Sequence, residues 1–314
     1  MVPKYNYDED LLQAVPFLDI FDLTNPVETR AKLLAQSKER PAPDRFDVKI
    51  DDFKIKSGND QHEIPIRVYR KEGTSDINPV ILNIHGGGFV IGRIEVDEPT
   101  CLEIVRKLPV TVVSVGYRLS PEHPYPAALN DCYDALKWIE SSSEKLKVDP
   151  KKIVVQGMSA GGGLAAALCL FVRDMGGPSI HFQYLELPEL DDRLNSESMK
   201  RFVDTPGWNT PNAEISWNYY LGDIDRNSVP IYAAPARAEN LSCLPPAYVS
   251  AFEYDPMRSE AIAYAEKLFS AGVSVELHVF SGAYHLAYLN RQSNISQRTS
   301  EERIKVLSKI LFKK

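Results

Sequence analysis

Gly157-Met158-Ser159-Ala160-Gly161 lies between an apolar run, Ile153-Val154-Val155, and an alanine-rich stretch with helical spacing that begins at Gly162. A buried strand that enters a glycine-flanked serine and leaves as a helix reads as a nucleophile elbow, which pushes the hydroxyl out of the top of a sheet. Glycines flank the serine because side chains there would collide. Five residues of this kind recur by chance, but a second signal stands upstream. His85-Gly86-Gly87-Gly88 follows the apolar run Val80-Ile81-Leu82-Asn83-Ile84, and such a loop supplies the backbone N–H donors that an oxyanion needs. Together the two motifs favour catalysis over a pair of ordinary glycine turns.

The pattern on either side fits a parallel sheet. Residues 8–18 and 26–38 have helical spacing, and Pro41-Ala42-Pro43 closes that opening segment. Strands are predicted over 46–56, 64–70 and 80–84. Helices over 98–107, 127–140 and 160–173 then alternate with strands over 111–115, 152–156 and 180–185. Alternation of this kind predicts an α/β fold, a mostly parallel sheet covered by helices on both faces. It breaks between Pro188 and Arg237, where Asp, Asn, Pro and aromatic residues surround one predicted helix at 213–221. Strands at 247–251 and 274–280, with helices at 256–271 and 299–312, complete the chain. The expected division is an N-terminal helical part over 1–45, a core over 46–187, an insertion over 188–237 and the rest of the core over 238–314.

Composition sets limits on function. A chain of 314 residues with 44% hydrophobic residues can bury one large core with an insertion. A net charge of −7 with scattered basic residues argues against nucleic acid as a partner. No apolar run approaches membrane-spanning length, and Asp8, Glu9 and Asp10 do not fit a signal peptide, so a cytoplasmic protein is expected. Without a secretory signal the sequons at Asn240 and Asn294 carry little meaning. Cys101, Cys132, Cys169 and Cys243 lack metal-ligand spacing and read as reduced thiols. No cofactor and no metal is expected.

A serine hydroxyl needs a base within hydrogen-bond reach. With the elbow's order of serine, acid, histidine, two histidines remain downstream, His278 and His285. His278 sits inside a predicted strand and reads as structural. His285 follows Ser281-Gly282-Ala283-Tyr284 in the loop expected past that strand, where an open α/β sheet presents its chemistry. Asp255, after the strand at 247–251 and before Pro256, is the candidate acid; an N-cap role is compatible with it. Glu253 is the runner-up, while Asp223 and Asp225 fall in the insertion. Ala160, Gly87 and Gly88 are the candidate oxyanion donors, Gly86 shapes the loop, and His85 anchors it. Phe89, Met158, Trp208 and Leu286, with Trp217, Phe17 and Phe21, are candidates for the substrate pocket, although aromatics in a helical cap are more often packing than ligand contacts.

Seven segments carry a specific resemblance: His85-Gly86-Gly87-Gly88-Phe89, residues 117–128 with Tyr117-Arg118-Leu119-Ser120-Pro121-Glu122-His123-Pro124, residues 157–162, residues 232–237, Leu244-Pro245-Pro246-Ala247, Asp255-Pro256-Met257-Arg258 and Gly282-Ala283-Tyr284-His285. In these the chain resembles the bacterial hormone-sensitive-lipase-like carboxylesterases of the α/β-hydrolase superfamily, over about four fifths of its length. The resemblance implies that Ser159, Asp255 and His285 form a triad and that the N-terminal helices and residues 188–237 form a cap. It further implies short- to medium-chain acyl ester substrates, no cofactor, and frequent pairing as homodimers. Three positions depart from the family pattern: Met158 where an acid or threonine is usual, Ser259 where aspartate is usual, and Leu286 where glycine is usual. The same triad serves an acetyl group or an amide on a specific metabolite, and the fold also hosts non-catalytic small-molecule receptors.

Overall fold

The computed structural model describes residues 4–15, 18, 22–39, 41–74 and 76–312; Phe17 and Phe21 lie outside the described residues. The elements in chain order are α1 (Glu9–Leu12), α2 (Pro26–Glu39), β1 (Val48–Lys56), β2 (Glu63–Lys71), β3 (Asn78–Ile84), α3 (Glu98–Lys107), β4 (Thr111–Val115), α4 (Ala127–Ser141), α5 (Ser143–Leu146), β5 (Val148–Met158), α6 (Ala160–Met175), β6 (Phe182–Glu186), α7 (Glu197–Arg201), α8 (Thr210–Leu221), β7 (Ala247–Tyr254), α9 (Arg258–Ser270), β8 (Val275–Tyr284) and α10 (Asn294–Phe312). Eight strands form one sheet in the order β1-β2-β4-β3-β5-β6-β7-β8. β1, β2 and β4 pair antiparallel at one edge, and every pairing from β4 through β3, β5, β6 and β7 to β8 is parallel.

Period-2 burial explains why the central strands read as continuous apolar runs. Val80, Leu82, Ile84, Val113, Ile153 and Val155 face a core shared with α4, α6 and α9, while Ile81, Val112 and Val154 face a second core shared with α3 and α10. Both sides of each strand are therefore apolar. A third cluster sits beyond the carboxyl ends of the last strands. It joins Tyr5 and Leu11 from the N-terminal segment, Met199, Phe202 and Trp208 from the stretch after β6, and Tyr254, Tyr284 and Leu286 from the ends of β7 and β8.

Of the boundaries that differ from the sequence reading, four have a clear local reason. β5 begins at Val148 rather than Lys152, because the register shifts between Asn78 and Val80 and lets Pro150, which has no N–H to give, stand outside the regular ladder. β8 runs on to Tyr284, so Ser281 to Tyr284 are strand rather than loop; a shift between Phe252 and Tyr254 restores pairing at Tyr254 with Tyr284. α8 starts at Thr210, where the Asn209 side chain accepts from the Asn212 N–H and Pro211 occupies the first turn. α10 starts at Asn294, with the Ser293 hydroxyl accepting from the Ser296 N–H and Asp10 from the Asn294 N–H. The opening helix is shorter than the expected 8–18, and α7 is an element the sequence reading lacks.

Ser259 is accounted for by α7. The Ser198 hydroxyl accepts from the Ser259 N–H at 2.9 Å and the Ser259 hydroxyl from the Ser198 N–H at 3.2 Å, so each serine satisfies an orphan donor in the first turn of the other's helix.

Candidate active site

The chemistry gathers where β3, β5, β7 and β8 end. β5 turns into α6 at Ser159, which holds φ 56° and ψ −125°, a strained conformation that a non-glycine residue keeps only when its surroundings fix it. Two glycines make that turn possible: a Cβ at Gly157 would stand 2.1 Å from the Gly161 carbonyl oxygen, and one at Gly161 would stand 2.1 Å from that of Ile84. The Ser159 N–H donates to the Glu186 carbonyl at 2.8 Å, and its own carbonyl accepts from Gly163 at 3.0 Å and Glu189 at 3.1 Å. The hydroxyl is thus aimed by backbone on both sides.

The structure brings Ser159, His285 and Asp255 together. His285 Nε2 lies 3.0 Å from Ser159 Oγ, and His285 Nδ1 lies 2.6 Å from Asp255 Oδ2. Asp255 accepts the Met257 N–H on its other oxygen at 2.9 Å, so one carboxylate both turns the chain toward α9 and holds the imidazole. All three residues are buried, with Ser159 at 4% exposure. With Nδ1–H committed to Asp255, Nε2 carries the lone pair that faces the serine. The other candidates are elsewhere: Glu253 accepts the Gly282 N–H at 2.9 Å, His278 stacks on Phe280 at 3.9 Å, and Asp223 and Asp225 are exposed.

The loop after β3 is fixed by its carbonyls. His85 Nδ1 lies 2.8 Å from the Gly86 carbonyl oxygen, which only accepts, so the proton sits on Nδ1. Desolvation pulls the His85 pKa down to about 4, against the hydrogen bond to Gly86, so the ring is neutral. It stacks on Tyr117 at 4.1 Å, and the Tyr117 hydroxyl donates to the His85 carbonyl at 2.8 Å. The Gly87 carbonyl accepts from Val90 at 3.1 Å and Ile91 at 2.8 Å. A trans peptide aims its N–H opposite to its carbonyl, so the Gly87 and Gly88 N–H groups face away from these anchors. Neither has a partner among the described residues. Ala160, first in α6, has an N–H without an acceptor inside its own helix. The gathered donors and base can deprotonate a serine and stabilise an alkoxide.

Of the pocket candidates, Trp208 lies against this loop: its ring edge would meet a Gly88 Cβ at 2.4 Å, and its centroid is 6.0 Å from that of His285. Leu286 packs on Gly207 beside it, and Met158 is half-buried at the end of β5. Phe89 stacks on Tyr220 at 3.9 Å and tilts on Trp217, so both Phe89 and Trp217 are taken up in packing. Three contributors escaped the sequence reading. Arg30 of α2 donates to the Val90 carbonyl at 2.7 Å and the Ser120 carbonyl at 2.5 Å, tying the N-terminal segment to the loop after Gly88. Glu189 and Ser216 lie behind Gly88. The signal for Glu189 was present: an acid inside the apolar run Leu187-Pro188-Glu189-Leu190, at the carboxyl end of a parallel strand.

Residues 81–289 match a family model described as the alpha/beta hydrolase fold. The chain belongs to this family. Within it, this α/β hydrolase is a relative of the hormone-sensitive-lipase-like carboxylesterases. It is 38% identical to an esterase, LipI, of Mycobacterium tuberculosis over 85% of this chain and 82% of the relative. It is 34% identical to an arylesterase of Saccharolobus solfataricus over 83% of each chain. Among solved structures it superimposes on a bacterial heroin esterase with a TM-score of 0.94 at 42% identity, over 98% of each chain. The esterase LipW of Mycobacterium marinum gives a TM-score of 0.89 at 34% identity, over 98% of this hydrolase and 96% of that one.

Among the described residues, no helix is long and apolar enough to cross a membrane, and no group of His, Cys, Asp and Glu could hold a metal ion. Cys101, Cys132 and Cys169 are buried free thiols, and Cys243 is an exposed one.

Proposed function

We propose that the chain is a serine carboxylesterase acting on short- to medium-chain acyl esters, with Ser159 as nucleophile, His285 as base and Asp255 as the orienting acid. The observation that carries this reading is the Asp255–His285–Ser159 chain at 2.6 and 3.0 Å beside unpartnered backbone donors. His285 Nε2 takes the Ser159 proton as Oγ bonds to the ester carbonyl carbon, and the carbonyl oxygen becomes an oxyanion held by Gly87, Gly88 and Ala160. Collapse expels the alcohol, which receives the proton from His285. Water, deprotonated by His285, then adds to the acyl-serine, and release of the acid restores Ser159.

The N-terminal segment and residues 188–237 act in this reading as a cap. Its support is contact: Tyr5 donates to Asp204 at 2.6 Å, and Tyr5 packs on Phe202 and Tyr254. Trp208, which lies against Gly88 and 6.0 Å from His285, serves in this reading as the wall of the acyl side, so short chains should be preferred. A series of p-nitrophenyl esters of increasing acyl length tests both points. A pre-steady-state burst of nitrophenol is expected, with turnover greatest on short chains. Trp208→Leu should raise the ratio of long-chain to acetyl kcat/KM by on the order of tenfold, since each methylene accommodated is worth about 1–3 kcal/mol. An unchanged ratio would remove Trp208 from the pocket, and a protein that binds these esters without any turnover would be a receptor instead.

The reading also keeps the cytoplasmic location expected from the sequence and, on resemblance, pairs the enzyme as a homodimer. Light scattering at micromolar concentration should report twice the mass of 35.3 kDa; a monomer would remove the pairing.

A further inference from the structure

Behind Gly88 of the oxyanion loop, in the segment whose backbone N–H at Glu189 holds the Ser159 carbonyl, lies a carboxyl group the reaction does not use. Glu189 is fully buried, and its Oε2 has no partner. Its Oε1 lies 3.2 Å from Ser216 Oγ, which in turn lies 2.8 Å from the Gly88 carbonyl oxygen. A serine hydroxyl has one proton. The shorter contact, to an oxygen that can only accept, takes it, and the contact to Oε1 then needs a proton from the other side. We infer that Glu189 is a positioning residue: held as a protonated acid, it donates to Ser216, which donates to the Gly88 carbonyl and fixes the loop whose N–H groups meet the oxyanion. This inference rests on the esterase reading above.

The surroundings support the protonated form. Desolvation raises the Glu189 pKa to about 8, Ser216 acts against that rise, and the negative charge of Asp255 adds to it. The other groups that bear on the site give its proton no cation to leave for: Glu260 of α9 feels Glu189 as a repelling charge, as do Tyr117 after β4 and Tyr220 of α8. Asp255, the charge that bears on Glu189, is itself bonded to His285 at 2.6 Å. Glu260 accepts the Leu190 N–H at 2.6 Å and so keeps the Glu189 segment in place. Loss of the Glu189 proton would force Ser216 to turn its hydrogen toward the carboxylate and release the Gly88 carbonyl. Donors that are no longer preorganised stabilise the oxyanion less.

The experiment is the pH dependence of kcat on p-nitrophenyl acetate between pH 6 and 10, for the intact enzyme, Glu189→Gln and Ser216→Ala. In the intact enzyme kcat should fall above about pH 8. Glu189→Gln keeps a donor toward Ser216 that cannot ionise, so its kcat at pH 7 should stay within about threefold of the parent and the alkaline fall should vanish. Ser216→Ala should lower kcat at pH 7 by about ten- to a hundredfold with little change in KM, because only transition-state contacts are lost. An alkaline fall that persists in Glu189→Gln overturns the inference, as does a Ser216→Ala enzyme with parental kcat. Infrared spectroscopy reads the proton without any turnover: a buried carboxylic-acid carbonyl band present at pH 7 in the intact protein and missing from Glu189→Gln is expected. Its absence from the intact protein overturns the inference even if the ester chemistry holds, and its presence without ester turnover would leave the proton in place and overturn the catalytic reading alone.

Discussion

Replacing Ser159 by alanine should lower kcat for ester hydrolysis by about 10⁶, the loss seen when one member of a triad that acts as a unit is removed. The geometry explains why no neighbour would substitute: the imidazole is committed to Asp255 on one side at 2.6 Å and to Ser159 on the other at 3.0 Å. His285→Ala should cost nearly as much, and the double variant little more than either, because nucleophile and base are used in the same step. Asp255→Asn should cost less, about 10⁴, by favouring the wrong imidazole tautomer. Stability is the control. The elbow is held by backbone bonds from Ser159 to Glu186, Gly163 and Glu189 that alanine retains, so the unfolding temperature of Ser159→Ala should stay close to that of the parent. Residual turnover above about one per cent of the parent, with a matched unfolding temperature, would remove Ser159 as the nucleophile.

That prediction could be framed from the chain alone because the elbow is a local device. Gly157 and Gly161 flank Ser159 in a turn where a Cβ at either glycine would strike backbone, and a constraint of that kind leaves its mark in adjacent residues. The sheet was legible for a similar reason: Ile153-Val154-Val155 and Val80-Ile81-Leu82 are apolar on both faces because helices cover both. Relations across the fold were not legible. Glu189 and Ser216 are separated by 27 positions, and only the packing of α8 behind Gly88 makes them a pair. The serines that cap each other's helices, Ser198 and Ser259, are 61 positions apart. Strand ends were misread where a shift in register let pairing resume, as at Tyr254 with Tyr284. Such a shift depends on the partner strand and has no signal in the strand itself.

One further long-range pair carries the largest expected effect on stability. Arg303 of α10 donates to Glu186 at the end of β6 at 2.7 Å and 3.0 Å, and both side chains are buried. Glu186 is also where the sheet supports the elbow, since its carbonyl accepts the Ser159 N–H at 2.8 Å and it pairs with Met158. Arg303→Met would leave the buried carboxylate without its bonded cation, beside Tyr184 and Tyr248 and within reach of the Asp97 acid. Removing one member of a buried ion pair costs about 3–5 kcal/mol, whereas replacing both by apolar groups is often neutral. We therefore expect Arg303→Met to lower the denaturant midpoint by that free energy, and Glu186→Leu with Arg303→Met to recover most of it. A single variant within about 1 kcal/mol of the parent would show that solvent reaches this pair and that the end of β6 is softer than its burial implies. A double variant as unstable as the single one would put the loss in the packing of α10 rather than in the orphaned charge. If the pair behaves as expected, the single variant should lose esterase activity in proportion to its unfolded fraction and no further, because α10 reaches the reaction only by holding the strand end on which Ser159 is built.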